Sequence, residues 1–201
     1  MINYWSFTNN VNDSISTAHL YDGVNAYLTH DRFGLDNSAL RLNSGYYSVP
    51  AGVYFNGSFT TSVWVNAKSK INWVRVFDFG VNGVDSDNVV LGLFKDTTPS
   101  VSFFSILLGS SVSYLDCNLA LVLNEWTHLA VTFDGSQAYY YYNGILCSST
   151  SNLHQPSNVT RSKNFIGKSN WDDEPADAVY DEFRIYNRAL DQNEINSLMF
   201  I

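Results

Sequence analysis

Two stretches of the chain carry the residue types that hold a sugar, an aromatic platform ringed by amide, carboxylate and guanidinium groups. The first is Trp73, Arg75, Asp78, Asp87 and Asn88, spread over a strand pattern and the loop after it. The second is Asn170, Trp171, Asp172 and Asp173, inside the acidic loop SNWDDEPAD. In WVRVFDF, alternation sends Val74 and Val76 toward a core and leaves Trp73 and Arg75 on the outer face of a sheet. An arginine beside an exposed tryptophan is placed for a ligand. The competing arrangement pairs Arg75 with Asp78 or another carboxylate across strands and packs Trp73 under a loop.

Catalytic chemistry finds no such footing. Only four Glu occur, Glu125, Glu174, Glu182 and Glu194, and none belongs to an alternating Glu-x-Asp-x-Glu strand. Retaining glycoside hydrolysis needs two carboxylates ~5 Å apart on one face. Asp181 and Glu182 are adjacent, so a regular strand points them to opposite faces. No HExxH, GxSxG or GxGxxG is present. Gly167-Lys168-Ser169 copies the end of a phosphate loop, but the upstream glycine position is Ser162 and the context is a strand. His128 alternates with Trp126 and reads as a structural histidine, and Trp5, Trp64 and Trp126 read as core.

The elements that must position these side chains are strands. The clearest are the two in NEWTHLAVTFDGSQAYYYYNG, residues 124–144. Thr127, Leu129, Val131 and Phe133 share one face, and Trp126, His128, Ala130 and Thr132 the other. Asp134-Gly135 and Asn143-Gly144 supply turns, since glycine accepts the positive φ that hairpins demand. Two of the four tyrosines at 139–142 face the core by alternation. Other strands are expected at 3–7, 18–21, 38–42, 46–50, 59–65, 73–80, 88–95, 100–108, 145–148, 164–168 and 178–186, with loops at 22–37 and 81–87 and a turn at 43–45. A helical turn at 191–198 begins with Asp191 as its cap. So many short strands with turn signals between them mean a β-sandwich.

A chain of 201 residues suits one all-β domain, residues 1–201, with ample core. Thirteen Tyr, thirteen Phe and five Trp favour pleated, half-buried surfaces. The formal charge of −8 argues against nucleic acid or an anionic membrane as partner. No apolar run approaches the ~20 residues of a membrane span. MINYWSFTNN lacks the charged start and apolar region of a signal peptide. Cys117 and Cys147 flank the hairpin, where they could be a disulfide or two buried thiols.

The pattern W-T-H-L-A-V-T-F-D-G followed by Y-x-N-G resembles the laminin-G-like branch of the concanavalin A-like lectin/glucanase superfamily. Gly57-Ser58-Phe59-Thr60-Thr61-Ser62-Val63-Trp64-Val65 is similar to its G-x-F-T-x-x-x-W-V strand. Residues 180–190, YDEFRIYNRAL, with Glu194-Ile195, are similar to its closing strand. The resemblance implies an all-β jelly-roll sandwich of two antiparallel sheets with the first and last strands adjacent. It implies a non-catalytic recognition module, extracellular or at a cell surface, binding glycans or extracellular proteins. An accessory domain of a larger enzyme is the remaining alternative. It also implies a structural Ca²⁺ where the closing strand meets the early strands, with Asp181 as ligand and Asn43 where relatives often have Asp.

Overall fold

The computed structural model describes residues 1–83 and 86–200; the expected loop at 81–87 lies partly outside them. The strands are β1 (Asn3–Trp5), β2 (Tyr21–Thr29), β3 (Ala39–Val49), β4 (Phe59–Ala67), β5 (Arg75–Gly80), β6 (Val89–Gly92) and β7 (Ser102–Leu108). They continue as β8 (Ser111–Cys117), β9 (Trp126–Phe133), β10 (Ala138–Tyr142), β11 (Ile145–Thr150), β12 (Lys163–Ile166) and β13 (Ala176–Tyr186). Helix α1 (Gln192–Ser197) follows, and a 3-10 turn ends the described chain.

All pairings between these strands are antiparallel. Hydrogen bonds run along one path, β11-β10-β9-β4-β13-β3-β12-β5-β6-β7-β8, which folds over on itself into two layers. The corner is β3, whose Leu40–Gly45 part pairs with β13 and whose Tyr47–Val49 part pairs with β12. The turn expected at 43–45 is therefore a bend inside one strand. Ser44 marks it with a left-handed backbone at φ 49°, and Gly45 beside it lets β2 approach, since a Cβ there would stand 2.4 Å from the Val24 carbonyl oxygen. β1 lies against β13, so the first and last strands are neighbours.

The two ends of the path, β8 and β11, meet through a disulfide between Cys117 and Cys147. Between the layers lies an aromatic core. Trp5 stacks on Phe183 at 5.1 Å, Phe183 on Phe77 at 5.4 Å and Phe77 on Phe55 at 5.6 Å. Leu129, Val131 and Phe133 enter this core from β9, as the alternation requires. Tyr140 and Tyr142 belong to the core side of β10, whereas Tyr139 and Tyr141 pack beneath α1 with Leu190, Ile195 and Leu198. The helix starts in a reciprocal capping box, the Glu194 amide on Asp191 Oδ1 at 2.9 Å and the Asp191 amide on Glu194 Oε2 at 3.0 Å.

Three further expectations are corrected. Residues 21–29 form a strand, not part of a loop at 22–37. Its faces are mostly exposed, and left-handed residues at Asp22 and Asn25 break the alternation that would have revealed it. Asp181 and Glu182 share a face. A bulge between Asp181 and Arg184, with Glu182 at φ 57°, resets the pleat so that Glu182 pairs with Arg184 and accepts from Tyr4 Oη, while Asp181 pairs with Arg32. Trp64 is buried, but on the outer face against His128 with the Arg32 guanidinium 5.0 Å over its ring, whereas Trp5 is core.

Candidate functional site

The two stretches of aromatic, amide and charged residues, far apart in sequence, meet at one place. On the outer face of β5–β8, a groove of about 310 Å³ is walled by Trp73, Phe103, Tyr114 and Trp171, with Arg75 and Asp173 between them. Strand alternation builds it. Phe103, Ser105 and Leu107 leave β7 on this side, whereas Phe104 and Ile106 enter the core. Val90 from β6 and Val112 from β8 complete the floor.

Arg75 reaches the groove by the alternation that sends Val74 and Val76 into the core, and a bulge between Arg75 and Phe77 then brings Asp78 to the same side. Its side chain is only 7% exposed, and Nη2 donates to Asp173 Oδ2 at 3.1 Å. The guanidinium lies 5.3 Å from the Phe103 ring, 5.8 Å from Trp73 and 6.0 Å from Trp171. Burial lowers its pKa, and the charges of Asp78 and Asp173 oppose that. Arg75 is thus a caged cation that draws the rings together. It has a carboxylate partner, as the competing arrangement holds, but that partner is Asp173 from the acidic loop rather than Asp78 or a residue across strands.

Trp73 is half-buried and holds a left-handed backbone at φ 60°, its amide donating to the Phe94 carbonyl at 2.6 Å. For a bulky side chain this costs of order 1–3 kcal/mol and persists only where the surroundings enforce it. Phe103 meets Trp73 edge-on at 5.5 Å and lies where a Cβ at Gly92 would stand 2.2 Å from its ring. Glycine at that cross-strand position is what lets the ring lie flat. Tyr114 is pinned from outside by Lys95, whose Nζ is 4.0 Å from the ring and 2.7 Å from Asp116.

The fourth wall comes from the loop of residues 167–176. Gly167 turns it at φ 83°, and the Ala176 amide closes its base on the Gly167 carbonyl at 2.7 Å. Asp78 anchors it from within. The fully buried carboxylate accepts from the Asn170 amide at 2.8 Å, from Asn170 Nδ2 at 2.9 Å and from Asn88 Nδ2 at 2.7 Å. Burial raises its pKa, and these hydrogen bonds pull it back down. Ser169 Oγ donates to Asp173 Oδ2 at 2.9 Å and accepts the Trp171 amide at 3.1 Å.

The structure therefore sorts the expected site residues. Trp73, Arg75 and Trp171 line the groove; Asp78, Asn88 and Asn170 sit behind it and fix the loop. Asp87 is bonded by Ser157 Oγ at 2.6 Å, and Asp172 faces the loop's other side. Sequence reasoning missed Phe103, Ser105, Ser110 and Tyr114. Phe103-Phe104 in SFFSILL tells that both faces of a strand are apolar but not which ring is covered.

The two side chains expected to ligate calcium, Asp181 and Asn43, do not come together. β13 puts Asp177, not Asp181, opposite Asn43, leaving Asp181 four residues or about 13 Å further along the strand. Asn43 is exposed, and the Asp181 carboxylate is taken by Arg32. Burial pushes Asp181 up to about 7 despite that pairing. Among the described residues, no group of three or more His, Cys, Asp and Glu side chains assembles that could hold a metal ion. An arginine arriving from a loop 149 positions away has no sequence signal.

No curated protein matches the chain in sequence. In structure it is similar to domain 4 of AbnA, an extracellular GH43 arabinanase from Geobacillus stearothermophilus, in complex with arabinotriose. The TM-score is 0.74 at 22% identity, covering 98% of this chain and 97% of that one. The botulinum neurotoxin serotype G binding domain gives 0.73 at 18%, covering 99% of this chain and 50% of its own. A Trypanosoma rangeli sialidase gives 0.66 at 18%, covering 98% of this chain and 32% of the enzyme. The chain thus spans nearly all of the first, half of the second and about a third of the third, and at these identities the likeness is one of fold. In sequence, the family model for the concanavalin A-like lectin/glucanases superfamily, Laminin_G_3, matches residues 41–196, from the corner strand into α1. The chain belongs to that superfamily, in its laminin-G branch.

Proposed function

We propose that the chain is a non-catalytic carbohydrate-recognition module and that the groove on β5–β8 seats a saccharide. One observation carries the reading: four aromatic walls stand around a cavity of about 310 Å³ that also presents Asp173, Ser105 and Ser110. Rings stack on the apolar faces of a sugar, and those polar groups meet its hydroxyls. The volume is that of a small-molecule cleft, and the walls are braced before any ligand arrives, which reduces the entropic cost of binding. Support from the comparisons is that the arabinanase domain was solved with arabinotriose, and that a study of botulinum neurotoxin type C, also similar in fold, concerns ganglioside interaction. The Cys117–Cys147 disulfide favours an oxidising, extracellular or cell-surface setting.

The test is tryptophan fluorescence during titration with neutral oligosaccharides chosen from a glycan array, with calcium and with EDTA. The expected result is a saturable response that EDTA leaves intact, lost in Trp73→Ala and in Trp171→Ala. No glycan response from a folded chain would overturn the reading in favour of a protein-binding adhesion module.

A further inference from the structure

We propose that the glycan carries an acidic group, carboxylate or sulfate, which enters a second pocket across Trp171 and is held there by Lys163 and Lys168. The proposal rests on the reading of the first groove as a saccharide site. The second pocket has a volume of about 430 Å³ and is lined by Lys163, Phe165, Lys168, Ser169, Trp171 and Asp172, among others. Trp171 is the wall shared with the groove. A ligand spanning the two pockets crosses that ring.

The acid preference follows from which polar groups remain free. Ser169 Oγ is committed to Asp173 and the Trp171 amide. The Asn170 side-chain amide is committed to Asp78 and, at 3.0 Å, to the Lys163 carbonyl. A neutral sugar entering here therefore finds few donors for its hydroxyls. The free donors are two ammonium groups. Among the described residues neither lysine pairs with a carboxylate, unlike six of the eleven Lys and Arg side chains, Arg32, Arg41, Arg75, Lys95, Arg184 and Arg188.

Lys168 is moreover held in place without being neutralised. Its Nζ lies 4.6 Å from the Tyr46 ring and 4.8 Å from the Phe165 ring, and those rings meet edge-on at 6.0 Å. An ammonium fixed on ring faces keeps its hydrogens for an anion, and bonds from a charged donor to a charged acceptor are the strong ones. Asp172 is exposed at the rim and offsets one of the two charges, leaving the pocket net positive on a chain of formal charge −8. A carboxylated or sulfated sugar is repelled by the molecule as a whole and drawn to this place.

The experiment is backbone amide NMR on the full chain, titrated with sodium glucuronate, a glucose sulfate ester, glucose and inorganic sulfate. At least one acidic sugar is expected to move the signals of residues 163–172 at about tenfold lower concentration than glucose. That advantage should vanish in Lys163→Gln/Lys168→Gln and weaken with added salt. The stronger of the two acidic probes identifies the acid. Equal response to glucose, survival of the advantage in the double variant, or an equal response to inorganic sulfate, meaning an adventitious ion only, would overturn the proposal. Arabinotriose separates the two readings. If it moves Trp73, Phe103 and Tyr114 in wild type and double variant while no acid advantage exists, the lysine proposal falls and the groove reading stands. If acidic sugars move 163–172 while those groove signals stay silent with every sugar, the lysine pocket stands as a separate acidic-sugar site and the groove reading falls.

Discussion

Buried polar side chains do two different jobs in this molecule. Arg75 is covered by three rings but keeps a carboxylate partner, so its charge organises the groove without being left unpaired. His128 is fully buried on the other layer beside Trp64, and neither ring nitrogen has a partner. Burial first, then the charges of Arg184 and Arg32, push its pKa down to about 3. The unfolded chain takes up this proton near pH 6.5, and the folded chain refuses it. The stability that follows is whole above about pH 6.5 and is lost as pH falls toward 3, at about 1.4 kcal/mol per pH unit. Asp181, pushed up to about 7, gives the opposite slope over this range, so the His128 contribution is read as a difference. The urea midpoint of His128→Gln is expected to rise relative to wild type as pH falls from about 7 to about 4. A constant difference between variant and wild type across that range would show that folding does not shift this proton.

At the scale of elements, the groove depends on a loop standing against a sheet. Loop 167–176 has no strand or helix of its own until β13 begins, and Asp78 is the internal post to which Asn170 is tied. Asp78→Ala removes three accepted hydrogen bonds and leaves the donors of Asn88 and Asn170 in a dry site, a loss of about 1–3 kcal/mol for each unsatisfied group. The expected outcome is a folded protein in which amide exchange at Asn170 and Trp171 accelerates and glycan affinity falls by at least about tenfold. Asp78→Asn should fall between the two, because its carboxamide retains one accepting oxygen. Full affinity with a mobile loop in Asp78→Ala would show that Trp171 does not form a wall of the occupied site.

For the whole molecule, closure is the issue. A single hydrogen-bonded path has two ends, and exposed edges invite pairing with other chains. Here β8 and β11 are brought together by Cys117–Cys147 and by Ser148 Oγ, which donates to the Asp116 carbonyl at 2.6 Å. The bond joins residues separated by 30 positions, for which chain-entropy arguments give about 3–4 kcal/mol of stability. Cys117→Ser/Cys147→Ser should lower the unfolding free energy by that amount, read as a lower urea midpoint at unchanged slope. The same shift in wild type under reductant would separate the cross-link from the cost of burying a serine at position 117. A variant of wild-type stability would mean that hydrogen bonds alone close the layers.

The amino-acid pattern alone was enough to establish the fold class and the element that anchors it. The alternation in WTHLAVTF, the Asp134-Gly135 and Asn143-Gly144 turns and the Asp191 cap are local signals, and local propensity agrees with tertiary packing at each of them. It also named Trp73, Arg75 and Trp171 for their chemistry, the first two because alternation points them away from a core and the third because it stands in an acidic loop. Their union was not legible. Trp73 and Trp171 become neighbours only because β12 returns between β3 and β5 and leads the following loop over β5–β8. Bulges at Arg75–Phe77 and Asp181–Arg184 then reversed which face later residues occupy, and an inserted residue leaves no period to read. The choice of Arg32 as the partner of Asp181 was likewise tertiary, since a long-range ion pair is set by where a loop comes to rest against a strand rather than by spacing along the chain.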